Sequence, residues 1–484
     1  MRVIYIDIDS CRPDHLGCYG YHRATSPNID RLAQESVLFT NVYTSDAPCL
    51  PSRTALFGGR LGLHNGVNGH GGTAARVRYP GDGHGTDPER LPLPMALSRA
   101  GVKTVTFTTF AQRHLAWHFY AGWDEIHKPN NKNGNETADE VNRAVLPWLE
   151  AHGKDDNYFL HVNYWDPHTP YRTPLEFGNP FEGEPPPEWP SQEVLDAQWQ
   201  SYGMHGAHDK PPHSTTQYPR TPEQLRTRAD YQRWIDGYDC GVRFADQHIG
   251  QLIQTLERLG ILDETAIIVS ADHGEAQGEL NVYGDHQCAD QATCNVPLLM
   301  RWPKGSSPRR YGGLQYQLDL APTICDLLGV PAPARWDGRS FASVVRGEDH
   351  PGRPFLVLSQ GAWTCQRAVR TENWLGIRTY HTGNRPFPEV MLFDLTEDRR
   401  QEVNRAKDRP EVVARLDRIL QEWWQANLSG ADAAPDPLIT IIQEGGPWYV
   451  RNRLDEYVTQ LRETGRAAAA KELAEFRGKP LPLG

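Results

Sequence analysis

The first three hundred residues alternate short apolar runs with longer stretches of helical spacing, and this alternation constrains the fold more than any other feature. Segments 3–9, 37–43, 102–108, 158–164, 266–270 and 296–301 read as strands, and segments 26–34, 93–100, 138–151 and about 221–259 read as helices. Strands alternating with helices predict an α/β domain whose central, mostly parallel sheet is covered by helices. In such sheets ligands bind beyond the carboxyl ends of the strands. Asp9, His168 and Asp272 all fall at or just after such ends. After Gly347 the pattern changes to short strands at 355–359, 367–371, 374–379 and 390–395, then a helix at 410–426, which predicts a smaller α+β unit with an antiparallel sheet. The expected division is therefore 1–347, 348–430 and a tail, 431–484, with helical stretches at 438–443 and 449–476. Residues 172–219 are rich in Pro, Gly, Trp and His without periodicity, and are expected to form an ordered cap near a pocket mouth.

A chain of 484 residues can bury one large core and a smaller one. No segment has the apolar length of a membrane span, so no membrane partner is expected. The chain runs straight into a core strand, without the basic start, apolar run and cleavage site of a secretory signal, which predicts a cytoplasmic address. A formal net charge of −11 without a basic cluster argues against nucleic acid as a partner. It leaves room for an anionic substrate, because a bound cation and local Arg and His residues set the field inside a pocket. The eight cysteines, at 11, 18, 49, 240, 288, 294, 325 and 365, form no C-x-x-C pair or regular framework and read as free thiols.

One of them stands apart. Cys49-Leu50-Pro51-Ser52-Arg53 leads to Gly58-Gly59-Arg60. Pro51 suits the first helical position and the glycines suit a helix end, which puts Cys49 at a helix N-terminus, where free N–H groups favour an anion. Arg53, one turn on, carries a donor fork suited to tetrahedral oxyanions. Alone, such a stretch is as well explained by a buried cysteine before an ordinary helix. Asp9 and the Asp272-His273 pair add two carboxylates from separate strand ends, a set suited to a hard divalent cation, and Asp7 shares a strand face with Asp9. His168 lies in Asp166-Pro167-His168-Thr169-Pro170-Tyr171, with an imidazole able to act as general acid near neutral pH. His161 reads as a core residue.

Together these motifs resemble type I sulfatases of the alkaline phosphatase superfamily. The resemblance continues through Ile8-Asp9-Ser10-Cys11-Arg12-Pro13-Asp14-His15-Leu16-Gly17, Val296-Pro297-Leu298, Asp319-Leu320-Ala321-Pro322-Thr323 and Leu392-Phe393-Asp394-Leu395. It implies a sulfuric ester hydrolase in which a formylglycine-generating enzyme oxidises Cys49 to an aldehyde whose hydrate is the nucleophile. It implies a divalent metal at Asp9, Asp272, His273 and the modified Cys49, with Asp7 within reach; oxygen donors favour Ca²⁺, and the imidazole leaves Mn²⁺ or Zn²⁺ open. Arg53 would orient the nucleophile, His168 or His286 protonate the leaving oxygen, His114 serve as base, and Arg113 and His70 bind substrate. Three departures stand out: Ser10 where relatives have a second acid, His286 where many have a lysine, and Arg113-His114 in place of a Gly-Lys-Trp-His segment. The implied substrate is a sulfated saccharide or an aryl sulfate. The alternatives are a phosphonate or phosphate ester hydrolase of the same superfamily, and a silent anion-binding protein with unmodified Cys49. The tail is expected to pack on the main body or on a second subunit.

Overall fold

The computed structural model describes residues 1–78, 90–210, 215–303, 308–429 and 434–481. Residues 211–214 of the expected cap, and 431–433 and 482–484 of the expected tail, lie outside them.

The main sheet is built from β1 (Arg2–Ile8), β2 (Val37–Tyr43), β3 (Lys103–Phe107), β4 (Glu125–His127), β5 (Tyr158–Tyr164), β6 (Thr265–Ser270), β7 (Asn295–Arg301) and β8 (Arg309–Tyr311), in the order β8-β2-β7-β6-β1-β5-β3-β4. β1 pairs in parallel with both β5 and β6, whereas β7 is antiparallel to both β2 and β6. Every residue of β1, β5 and β6 is buried, as expected of strands covered on both faces. Their register places Ile8 opposite Tyr164 and Asp7 opposite Ser270. The residues that come after these three strands therefore emerge side by side.

Two helices frame this sheet edge: α1 (Cys49–Gly58), which starts at the sheet's carboxyl edge, and α2 (Arg228–Leu259), which spans the sheet and packs on it through Trp234, Ile235, Ile249 and Leu256. The helix expected from about 221 begins seven residues later, because Thr227 and Asp230 form a capping box there. Helix α1 begins at Cys49, so Pro51 is its third residue rather than its first; within the first turn its missing N–H still costs no hydrogen bond.

The second sheet comprises β9 (Leu356–Gln360), β10 (Cys365–Arg370), β11 (Trp374–His381) and β12 (Val390–Asp394), antiparallel throughout, with helix α3 (Pro410–Leu428) packed on one face through Leu416 and Leu420. Its far edge is completed by Asp46–Ala47, which pairs in parallel with β9 just before Cys49. The small unit is thus tied by a backbone ladder to the segment that carries the cysteine.

The tail folds back on this body. α4 (Pro437–Gln443) packs Leu438 and Ile441 on Ala74 and Cys365. The stretch read as one helix from 449 to 476 is two, α5 (Leu454–Glu463) and α6 (Ala467–Phe476), broken at Gly465, whose φ of +78° a helix cannot contain. Tyr457, Leu461, Ala470 and Leu473 share a core with Tyr202 and Met204 of the 172–219 insertion, and Arg466 pairs with Asp209 at 2.6 Å. Of the two expected docking places for the tail, it occupies its own main body.

Candidate active site

The carboxyl ends of β5, β1 and β6 deliver His168, Asp9 and Asp272-His273 to one place, and α1 delivers Cys49 and Arg53 to the same place. One ligand atom from each of Asp9, Cys49, Asp272 and His273 lies within 4.8 Å of the others, and all four residues are buried. Ser10 takes φ +59°, a strained conformation for a non-glycine residue, and its N–H donates to Asp272 Oδ1 at 3.1 Å while its Oγ–H donates to Asp9 Oδ1 at 2.9 Å. Where a second acid was missed in the sequence, a hydroxyl and an amide hold the two remaining acids in place.

Arg53 is enclosed completely. Its Nε donates to Asp7 at 2.7 Å, and its Nη1 donates to Asp9 at 3.0 Å and to Asp272 at 2.5 Å. Asp7 faces Arg53 and, at 3.4 Å, His161; it stands behind the group of four instead of joining it. His161 is a core residue, as expected, but one that backs the arginine's partner. Burial pushes the carboxyls of Asp7 and Asp9 up; Arg53 and nearby imidazoles outweigh it and hold both below the ordinary range. Asp272 remains raised by burial and by its two neighbouring acids, despite Arg53. Three carboxylates against one guanidinium leave the buried cluster two charges negative when all are ionised, and a divalent cation is what balances it. The donor set passes the same test. His273 Nδ1 donates to the Gly274 carbonyl at 2.7 Å, which fixes the tautomer and leaves Nε2 as a free lone pair 3.0 Å from Cys49 Sγ.

His168 shows a comparable device: its Nδ1 donates to the Thr169 carbonyl, so Nε2 is the atom available to a ligand. His286 packs against His273 with rings 4.3 Å apart, and burial together with His273 pushes it down to about 3, so it is neutral at neutral pH. Arg113 is brought in as expected, stacked on Trp165 with its Nη1 donating to the Gly134 carbonyl at 3.0 Å. Arg172, which sequence reasoning passed over although it directly follows Tyr171, donates to the same carbonyl at 2.9 Å. Gly134 has φ +83°, and a Cβ there would come within 2.4 Å of the Arg113 side chain, so only glycine lets the two cations meet.

His70 and His114 are also brought in, edge to face at 4.8 Å. The Leu50 N–H donates to His70 Nε2 at 3.3 Å, so His70 carries its proton on Nδ1 and donates it to Tyr449 Oη at 2.8 Å. Tyr449 comes from the tail, and it stacks on Trp363 at 4.6 Å. Nothing in the local sequence announces either residue. Replacing Tyr449 with Phe leaves a half-buried His70 donor without its acceptor, and is expected to cost about 1–3 kcal/mol in denaturant unfolding with an unchanged m-value.

The chain is similar to known proteins over most of its length. A family model described as Sulfatase matches residues 2–330, and one described as N-sulphoglucosamine sulphohydrolase, C-terminal, matches residues 278–426. The N-acetylgalactosamine-6-O-sulfatase of Bacteroides thetaiotaomicron is 24% identical over 87% of this chain and 92% of its own. The N-sulphoglucosamine sulphohydrolase of Homo sapiens is 28% identical over 77% and 72%. A solved structure of a protein in complex with its substrate D-glucosamine-2-N,6-O-disulfate superposes with a TM-score of 0.70 at 19% identity, covering 88% of this chain and 97% of that one. A phosphonate monoester hydrolase from Silicibacter pomeroyi superposes with 0.67 at 20%, covering 91% and 97%, so the architecture is shared across both chemistries. With a helix-borne cysteine facing two strand-end acids and a buried arginine, and with a family model spanning the whole main sheet, the chain belongs to the sulfatase family.

Proposed function

We propose that the chain hydrolyses a sulfate monoester carried on a small saccharide, using Cys49 as the precursor of its nucleophile. The observation that carries the reading is the meeting of Cys49, Asp9, Asp272 and His273 within 4.8 Å, beside a buried Arg53. Oxidation of Cys49 by a formylglycine-generating enzyme supplies a hydrated aldehyde. Asp9, Asp272, His273 and the modified residue 49 would hold a divalent cation, for which we take Ca²⁺ because carboxylate oxygens dominate the donors, and the bound ion would supply Lewis-acid stabilisation of charge.

The rest falls to the side chains. Arg113 binds the sulfate oxygens through the donors that Gly134 does not occupy, and Arg172 through Nε, which is buried and without a partner among the described residues while its Nη2 donates to the His168 and Thr169 carbonyls at 3.4 Å. His168 faces the leaving oxygen with Nε2, because its Nδ1 proton is committed to the Thr169 carbonyl; burial holds the ring well below its ordinary value, so Nε2 is a lone pair that must first take up a proton before His168 can act as the acid. His114 Nε2, buried and without a partner among the described residues, accepts a proton from the second hydroxyl. Tyr449 and Trp363 wall the site on the side of the tail and favour the flat face of a sugar ring.

A phosphonate monoester or phosphodiester is the second reading, and one observation favours it. A phosphonate monoester hydrolase superposes on this chain with a TM-score of 0.67, and a neutral His286 suits a phosphonate monoester or phosphodiester as well as a sulfate monoester, since each carries one negative charge. The test is a panel assayed on chain whose Cys49 peptide is converted: sulfated mono- and disaccharides, an aryl sulfate, a phosphonate monoester and a phosphate monoester. The expected result is the highest kcat/KM on a sulfated saccharide. A preference for the phosphonate replaces the first reading by the second, and failure on every ester rejects both.

A further inference from the structure

Cys49 belongs to a second group of ligand atoms, and it is not the oxygen-rich one. One atom from each of Cys49, His273 and His286 lies within 4.8 Å of the other two, and all three residues are buried. His273 is already oriented as a metal ligand, and His286 brings a second buried ring beside it. His273 Nδ1 is spent on the Gly274 carbonyl, which leaves Nε2 facing the sulfur at 3.0 Å. His286 Nε2 lies 3.4 Å from Asp285 Oδ1, and Asp285 is itself held by His205 and by Gln287 Nε2 at 2.9 Å. His286 Nδ1 is buried and without a hydrogen-bond partner among the described residues, so the ring has a nitrogen to offer a metal. A carboxylate or carbonyl behind each imidazole is the usual support for a metal-bound histidine.

The two groups share Cys49 and His273 but differ in hardness. With a thiol at position 49, the set is one sulfur and two nitrogens, which suits Zn²⁺ or Co²⁺ far better than Ca²⁺. With an aldehyde hydrate there, the sulfur is gone and the carboxylates of Asp9 and Asp272 dominate. We propose that the thiol form of this chain is a zinc-binding state, with Cys49 Sγ, His273 and His286 as ligands, and that conversion of Cys49 switches the site from a borderline metal to a hard one. On binding, the Sγ–H proton is released to solvent as the metal–sulfur bond forms, and the negative cluster of Asp7, Asp9 and Asp272 beside it favours the incoming cation. The switch rests on the formylglycine reading; the thiol-form site does not.

The experiment uses full-length chain produced without formylglycine-generating activity, its Cys49 peptide verified as a thiol by mass. Titration with Co²⁺ is expected to give one equivalent of binding with an intense thiolate-to-cobalt absorption in the near ultraviolet, displaced by Zn²⁺ and not by Ca²⁺. Cys49→Ser is expected to remove the band, and His286→Asn to weaken Co²⁺ binding by at least about tenfold. Because His286→Asn can also perturb folding, a second measurement uses the unaltered chain: Zn²⁺ should slow alkylation of Cys49 at least about tenfold, whereas Ca²⁺ should not. Absence of the band in the thiol form, or a band indifferent to His286→Asn in a folded variant, overturns the proposal. Failure of the formylglycine reading is seen separately, as a Cys49 peptide still in the thiol form after production with the maturation enzyme.

Discussion

Alanine at position 49 is expected to lower kcat on a sulfate ester by on the order of 10⁴-fold or more, while leaving the fold in place. Cys49 is the first residue of α1, and its only side-chain polar contact among the described residues is His273 Nε2 at 3.0 Å. Removing one sulfur from that position leaves a small cavity, with a cost of about 1 kcal/mol. The acids, Arg53 and the histidines are anchored independently of it: Asp272 by the Ser10 N–H, Arg53 by three carboxylates, His168 by Thr169. Activity and stability therefore separate in this variant. The measurement is steady-state hydrolysis beside thermal unfolding and near-UV circular dichroism. A variant that keeps a tenth of its activity would place the nucleophile elsewhere, and one that fails to fold would give Cys49 a structural role that its contacts do not show.

The parts of this site that follow a backbone rule were legible in the sequence. Asp9, His168 and Asp272 were found because strands alternating with helices put their carboxyl ends together, and the register of β5, β1 and β6 does so. Cys49 and Arg53 were found because their motif resembles the sulfatase signature; Pro and Gly marked only the short helix that carries it. Arg53 nevertheless has a different setting from the one its motif gave it: it was expected to face the anion, and it is buried among three carboxylates. Sequence spacing shows which residues share an element, and the balance of charge inside a cavity is a property of elements far apart in the chain. Tyr449 and Trp363 were invisible for a related reason. Trp363 lies in the turn between β9 and β10, and Tyr449, read as the start of a helix, lies in a turn that meets it only because the tail folds back. The break at Gly465 and the start at Thr227 are smaller lessons of the opposite kind. Both carry local signals, a glycine at positive φ and a Thr-x-x-Asp capping box, that apolar spacing alone overrode.

Arg53→Ala tests the electrostatics directly, and it is expected to destabilise the chain by about 3–5 kcal/mol at pH 7, because it strands three buried carboxylates. The pH dependence identifies the cause. In the unaltered chain burial raises Asp7 and Asp9, but Arg53 more than offsets it, so their folded values lie below the unfolded value of roughly 4. Their contribution is complete above that value and is lost only as pH falls below it. Asp272 is already raised, so it alone gains stability as pH falls from 7 toward 5. Without the guanidinium all three carboxyls rise above the unfolded value, the folded state binds more protons than the unfolded one, and stability falls as pH climbs from about 4. The gap between Arg53→Ala and the unaltered chain should therefore narrow from pH 7 to pH 5, and should narrow again at pH 7 when a divalent cation is added, since the ion binds only the folded cluster. Arg53→Lys should keep part of the stability, because it restores the charge, but less than all of it, because an ammonium has no planar fork to span Asp7 on one side and Asp9 with Asp272 on the other. Denaturant midpoints at the two pH values, with and without the ion, decide the matter: a gap indifferent to both would mean that Arg53 acts by packing against Phe110 and Trp165, 4.9 and 5.7 Å away, and not by its charge.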